Sequence, residues 1–373
     1  MNHRQPSDLI LDLGGNPLSS MEGESMKNLL DFLGYPQRDE TERSLFGKVE
    51  RIDARILEYL DIDTRSVGGI LKPEVSQFKM LSKDHYIDEW GIERKFNGRY
   101  WDAVSTPLKG AGLDDLDSYP WPIAFSISED EIDHIRKEAE NLFINTDYII
   151  CAEHPVYGVF ELGCWLCGFD DFLVKLLIEQ DFVRKLFDII LSYQLEVIDR
   201  YYSALGNFIH YTSSGDDFGT QENLFMSPDV FREIIKPYYK TRINRTKTYT
   251  EAYYLHHSCG SVRDIINDLI EAGVDILNPV QPEARGMEAE LIKPLFGDRI
   301  VLHGGIGTQE KLFQDPDAIE DYVRSVIEIM NRDGGYILAA AHNLQDDLSP
   351  ESIVKMFKAA RRYGKKNEAF WNQ

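Results

Sequence analysis

His256-His257-Ser258-Cys259-Gly260 places an imidazole and a thiol at i and i+2, where the apolar run Tyr253-Tyr254-Leu255 gives way to a helix-like stretch, Val262 to Ala272. A distant imidazole, His342, follows a second strand-like run, Tyr336 to Ala340. Catalytic zinc uses three protein ligands and keeps one position open, so His257, Cys259 and His342 form a candidate zinc set. Such a site assists reactions at an oxygen or sulfur nucleophile. In a chain with nine His and four Cys, the His-x-Cys pair alone fits a packed or solvated loop equally well. Adjacent residues leaving a strand point to opposite sides, so His256 is expected to pack, unless the register is off by one and it replaces His257.

The elements that would position these groups recur as strand-then-helix units. Phe208 to Thr212 leads to Gly215-Asp216-Asp217-Phe218-Gly219-Thr220-Gln221-Glu222, and Val274 to Leu277 leads to Asn278-Pro279-Val280-Gln281. Arg299 to Leu302 leads to His303-Gly304-Gly305, and Tyr336 to Ala340 leads to His342-Asn343-Leu344-Gln345. Polar groups at successive strand ends predict a (β/α)8 barrel, whose active site is built from the loops at the C-terminal ends of parallel strands. A doubly wound sheet would concentrate them at one switch point. Helix starts support the alternation: Ser227-Pro228, Asp315-Pro316 and Ser349-Pro350 each pair an N-cap with proline at the first helical position.

The first half is less regular. Leu9 to Leu13 with Gly14-Gly15 predicts an opening strand and turn, Met21 to Leu33 and Arg51 to Tyr59 helices, and residues 85 to 101 a hairpin that decorates the barrel mouth. Ser128 to Asn141 predicts a helix, Asp147 to Ala152 a strand, and Gly163 to Leu186 a helix or helix pair. The 373 residues are expected to form one barrel domain, since a minimal barrel needs roughly 250 and loop insertions absorb the rest. A formal charge of −23 argues against nucleic-acid binding, which rewards Lys and Arg. No apolar run approaches the roughly 20 residues of a membrane span, and no secretory signal pattern opens the chain, so a cytoplasmic location is expected. Cys164-Trp165-Leu166-Cys167 has C-x-x-C spacing without a second such pair, and its apolar neighbours predict packing thiols.

Together these segments resemble the uroporphyrinogen decarboxylase superfamily, and within it the zinc-dependent methylcobamide methyltransferases and methyl-ether demethylating enzymes. The resemblance runs from Asn2-His3-Arg4-Gln5-Pro6 through Asp88-Glu89-Trp90-Gly91, Gly215 to Gln221, His257-Ser258-Cys259-Gly260, Asn278-Pro279-Val280-Gln281 and His303-Gly304-Gly305-Ile306 to His342-Asn343-Leu344. It implies a barrel with its site at the C-terminal mouth. In those methyltransferases zinc is held by a His-x-Cys pair and a further Cys; His257 and Cys259 match the pair, and His342 stands at the last position.

The resemblance further implies methyl transfer between a small methyl ether, methanol-like compound or thiol and a cobamide. No corrinoid-binding segment is recognisable in the chain, so the cobamide is expected on a partner protein. Asp216, Asp217 and Glu222 are the expected acid–base groups or an additional ligand. Gln221, Asn278, Gln281, His303 and Asn343 are expected to orient substrate, the plain alternative for each being a rim hydrogen bond. Decarboxylation of a porphyrinogen is the alternative activity, but only Arg4 stands where the decarboxylases carry an arginine-rich grip on the substrate carboxylates. A third alternative is a barrel that binds without catalysing.

Overall fold

The computed structural model describes residues 8–37, 51–98, 100–310, 312 and 316–365, so Asn2–Pro6 and Asp315 lie outside the described residues. Its strands are β1 (Ile10–Leu11), β2 (Thr64–Gly68), β3 (Lys79–Ser82), β4 (His85–Ile87), β5 (Glu93–Phe96), β6 (Trp101–Ser105), β7 (Ile149–Glu153), β8 (Tyr211–Gly215), β9 (Tyr253–His257), β10 (Ile276–Val280), β11 (Val301–Ile306) and β12 (Tyr336–Ala340). Eight are parallel neighbours in the order β1-β12-β11-β10-β9-β8-β7-β2. The ring closes through Asp63, whose N–H donates to Leu11 O at 3.1 Å and whose carboxylate accepts from Leu11 N–H at 2.7 Å. Helices between the strands complete the (β/α)8 barrel expected from the alternation.

Strand periodicity fills the interior in layers. Cys151, Tyr211, Leu255, Ile276, Val301 and Ile337, one from each of six strands, pack together as an apolar floor. Two residues further along, the same faces carry Glu153, Ser213, His257, Asn278 and His303, and Asp12 follows Ile10 from β1 in the same way. The strands end later than the apolar runs suggest: β8 begins at Tyr211, β10 extends to Val280 and β11 to Ile306. The backbone ladder continues through polar residues of low strand propensity because their side chains enter this upper layer.

The irregular first half holds more order than a hairpin. Strands β3 to β6 form a four-stranded antiparallel sheet, tied to the loop after β12 by a hydrogen bond from Gln345 Nε2 to Tyr100 OH at 3.1 Å. Two helices, Val159–Cys167 and Phe169–Ile178, precede the long helix Gln180–Leu205. Ser227 and Ser349 cap their helices, each side chain accepting from a backbone N–H three residues on. The first of these passes through a π-helical turn, Phe231–Ile235, just before Pro237. Proline has no N–H to donate, which favours such a break in the regular pattern. No described helix is long and apolar enough to cross a membrane.

Candidate functional site

His257 closes β9 with its ring in the barrel, while His256 faces the helices, 5.3 Å from Phe218 and 4.8 Å from Tyr239 between ring centroids. His257 Nε2 lies 3.3 Å from Cys259 Sγ and 3.6 Å from Asp217 Oδ1. Among the described residues, Asp217, His257 and Cys259 form a group whose ligand atoms all lie within 4.8 Å of one another. Bonds of 2.0–2.3 Å at tetrahedral angles put neighbouring zinc ligands about 3.5 Å apart, so the spacing and the nitrogen, sulfur and oxygen donor set suit zinc. Burial, with Asp217 and Glu161 nearby, pushes the Cys259 thiol well above its ordinary value while no cation stands beside it.

Two loops are pinned together to bring Asp217 to this group. Asp217 Oδ1 accepts from Cys259 N–H at 2.7 Å, Ser261 N–H donates to Thr220 O at 2.7 Å, and Gln281 Oε1 accepts from Gly260 N–H at 2.9 Å. Gly260 has φ +82°, and a side chain there would strike the Gly219–Thr220 backbone. Only glycine satisfies both demands.

A buried hydrogen-bond chain orients His257. Its Nδ1–H donates to Asn278 Oδ1 at 2.6 Å, Asn278 Nδ2 donates to His303 Nδ1 at 2.6 Å, and His303 Nε2–H donates to Asp12 Oδ2 at 2.8 Å. The amide fixes both directions, because its oxygen only accepts and its nitrogen only donates. His257 Nε2 is thereby left with a lone pair facing Cys259 and Asp217. Asp12 also accepts from Ser19 Oγ at 2.5 Å, Gly15 N–H at 2.9 Å and Thr64 Oγ1. Burial alone would raise its pKa, but His303, Ser19 and Thr64 together hold it below the usual carboxylate range.

The group opens on an inner cavity of about 310 Å³, lined among others by Leu18, Glu153, His154, Tyr157, Glu161 and Trp165. An outer cavity of about 1070 Å³ lies between β6 and the Val159–Cys167 helix, and Trp165 lines both. Two carboxyls of the inner cavity depart from ordinary values. Burial pushes Glu153 up to about 7. Burial and the charges of Asp217 and Asp216 push Glu161 well above its usual range.

The uroporphyrinogen decarboxylase (URO-D) family model matches residues 156–363, a span that holds β8 to β12 and the Asp217–His257–Cys259 group. The chain belongs to that family. Among solved structures, it is similar to a methyltransferase from Methanosarcina mazei, at 16% identity, over 96% of this chain and 95% of that one, with a TM-score of 0.62. That likeness is one of fold. A second match is the homocysteine methyltransferase MmuM from Escherichia coli in its apo form, at 10% identity over 67% of this chain and 93% of that one, TM-score 0.24. No curated protein matches the sequence.

Within this uroporphyrinogen decarboxylase family member, the residues expected from sequence separate. His257 and Cys259 converge as expected, but the third member of their group is Asp217, and His342 is not in it. His342 lies on the loop after β12, three strands around the ring from β9. Asp216 is fully buried and accepts from Phe160 N–H at 3.1 Å and Glu161 N–H at 2.8 Å, so it holds the start of the Val159–Cys167 helix instead of facing the cavity. Burial still pushes it up to about 7. Gln221 and Glu222 are exposed on the turn after Thr220 and do not line the inner cavity. Asn343 lines the cavity and accepts from Ser20 N–H at 2.9 Å. His303, Asn278 and Gln281 support the metal-type group or its loop rather than lining the cavity.

Several functional candidates escaped the sequence reading. Glu153 closes a strand that the apolar pattern ends at Ala152, and Glu161 opens the helix whose later part alone was evident. Asp12 sits within the opening strand-and-turn segment, and no local signal ties it to His303, 291 residues away. Cys164 and Cys167 are buried free thiols as expected, and burial pushes Cys167 up to about 12.

Proposed function

We propose that this chain is a zinc-dependent methyltransferase that moves a methyl group between a small substrate in the inner cavity and a corrinoid carried by a separate protein. The observation that carries the reading is the convergence of Asp217, His257 and Cys259 at the cavity wall, with His257 Nε2 left bare by the Asn278 chain. Zinc in that group would supply Lewis acidity at the substrate oxygen or sulfur.

The chain's own residues do the rest. Asn278 holds the His257 tautomer, and Asp217 holds the Cys259 loop through its backbone N–H. With a methyl ether, the partner corrinoid would supply the cobalt(I) nucleophile that accepts the methyl group, and the electron pair of the carbon–oxygen bond would stay on oxygen. The oxygen then needs a proton, and Glu161, which lines the cavity and whose carboxyl is pushed up by burial, is the proposed donor. The fold match to the Methanosarcina mazei methyltransferase over nearly the whole chain supports this reading.

Porphyrinogen decarboxylation fits the same walls poorly. No Lys or Arg is among the described residues lining the inner cavity, and the cations lining the outer one, Arg94 and Lys109, are each paired with an aspartate. A substrate of many carboxylates needs unpaired cations. The test is methyl transfer from simple methoxy compounds to cob(I)alamin, followed by the absorbance of methylcobalamin. Zinc-dependent transfer that disappears in His257→Ala is expected. A zinc-loaded protein that transfers from no methoxy compound or methylated thiol overturns the reading.

A further inference from the structure

Asn343 lines the inner cavity from the loop after β12, and its place there is fixed by three hydrogen bonds. Leu344 N–H donates to Ser20 O at 3.0 Å, Glu22 N–H donates to Leu344 O at 2.9 Å, and Ser20 N–H donates to Asn343 Oδ1 at 2.9 Å. The last bond also sets the direction of the amide, because only its oxygen can accept from an N–H. Asn343 Nδ2 is thereby turned away from Ser20. It has no partner among the described residues, and unlike the Ser214 hydroxyl of the same cavity it is not sealed beneath the wall, so its N–H groups meet the open space. The metal-type group is close by. A side chain at Gly215 would come within 3.6 Å of Leu18 and 4.0 Å of the His257 ring, so the loop that carries Leu18 and Ser20 reaches over that group.

A donor held in this way discriminates by chemistry. An ammonium group has donors only and cannot use it. A carboxylate could accept from it, but Glu153, Glu161 and Asp217 line the same cavity and no described Lys or Arg does, so an anion would be repelled with no cation to offset its desolvation. A purely apolar end would displace water and leave the amide N–H groups without an acceptor. An uncharged oxygen meets none of these obstacles.

We propose that Asn343 determines specificity in the inner cavity by donating from Nδ2 to an uncharged oxygen at the end of the substrate remote from the metal-type group. The substrate is then a small neutral molecule with a methylated oxygen or sulfur, or a thiol, at one end and an ether, carbonyl or hydroxyl oxygen at the other. This rests on the methyltransferase reading for the reacting end alone.

The experiment titrates two near-isosteric ethers, 1,3-dimethoxypropane and 1-methoxypentane, into the zinc-loaded full chain labelled with 15N at asparagine, and into Asn343→Leu. The diether is expected to shift the side-chain N–H signals of Asn343 downfield and the monoether to leave them in place. Asn343→Leu should weaken the diether relative to the monoether about 2- to 10-fold, the range for one net hydrogen bond. Taking the ratio of the two ethers cancels any loosening of the Ser20 loop, which a merely structural role would also cause. Asn343 signals that stay put at saturating diether overturn the proposal, as do an unchanged ratio in the folded variant and a wild type that binds neither ether. The wild-type signals decide the matter even if the variant fails to fold. Methyl transfer to cob(I)alamin separates the two readings: transfer with unmoved Asn343 signals loses the acceptor site and keeps the reaction, whereas shifted signals without transfer keep the site and lose the reaction.

Discussion

The two interior layers of this barrel come from the same strands, one register step apart, and they differ in almost every physical respect. The floor of Cys151, Tyr211, Leu255, Ile276, Val301 and Ile337 is apolar and makes no demand on hydrogen bonding. The layer above joins Asp12, His303, Asn278 and His257 in one directed chain, each link 2.6–2.8 Å long. Stability is concentrated below and chemistry above. Because both layers share a backbone ladder, the floor fixes the strands at the positions the upper layer needs, and a polar network in so rigid a setting has little freedom to relax.

The sharpest way to break the comparison is at the top. His257→Ala and Cys259→Ala are expected to lower zinc content from one per chain to near zero by plasma mass spectrometry while circular dichroism stays native. Asp217→Ala should lower it strongly as well, and His342→Ala should leave it unchanged; zinc loss in His342→Ala with retention in Asp217→Ala would restore the sequence-based ligand set. Ile276→Ala, two residues below Asn278, should reverse the pattern. It should cost about 2–5 kcal/mol in urea denaturation, as deletion of a buried aliphatic side chain does, yet leave zinc stoichiometry of the folded protein intact.

Asn278→Ala tests the link between the layers' chemistry. It removes the group that fixes the His257 tautomer, and zinc affinity should fall about 10- to 100-fold by competition with a chelator, the usual cost of losing a ligand's hydrogen-bond partner. The smallest expected effect concerns Glu153. Its folded value of about 7 lies above the ordinary 4.5, so between those values the folded protein keeps a proton that the unfolded chain has released. Stability therefore falls as pH rises through that window, by about 1–3 kcal/mol from this group. Glu153→Gln should lose the slope, unfolding near the wild-type temperature at pH 4.5 and above it at pH 8.

The layers were unequally legible in the sequence. His257, Cys259, Asn278 and His303 are ligand-type residues at strand ends, and that placement alone marked them. What sequence could not supply is which loops touch. Asp217 reaches Cys259 because two loops interlock at Gly219 and Gly260, whereas His342, equally well placed along the chain, follows a strand three positions around the ring. Asp216 misled for another reason: a carboxylate at a strand end that accepts two helix N–H groups reads in sequence like one that faces a cavity. The strand at Thr64–Gly68 left little trace, and of the sheet from β3 to β6 only the hairpin over residues 85 to 101 was legible, where β4 and β5 pair antiparallel.

The seam at Asp63 has a consequence for how the protein comes apart. β1 contributes two residues to the ring, and near this edge Arg361 of the last helix grips Asp63 Oδ1 at 2.7 Å and Leu9 O at 2.9 Å. Asp12, at the far end of the histidine chain, is the next residue but one after Ile10. A hoop is weakest where its ends are tied, so amide exchange should begin at Leu11 and Asp63, and trimming the C-terminal helix should slacken the tie. The helix Pro350–Tyr363, none of whose residues lines either cavity, thus sets how long His257 keeps its aim.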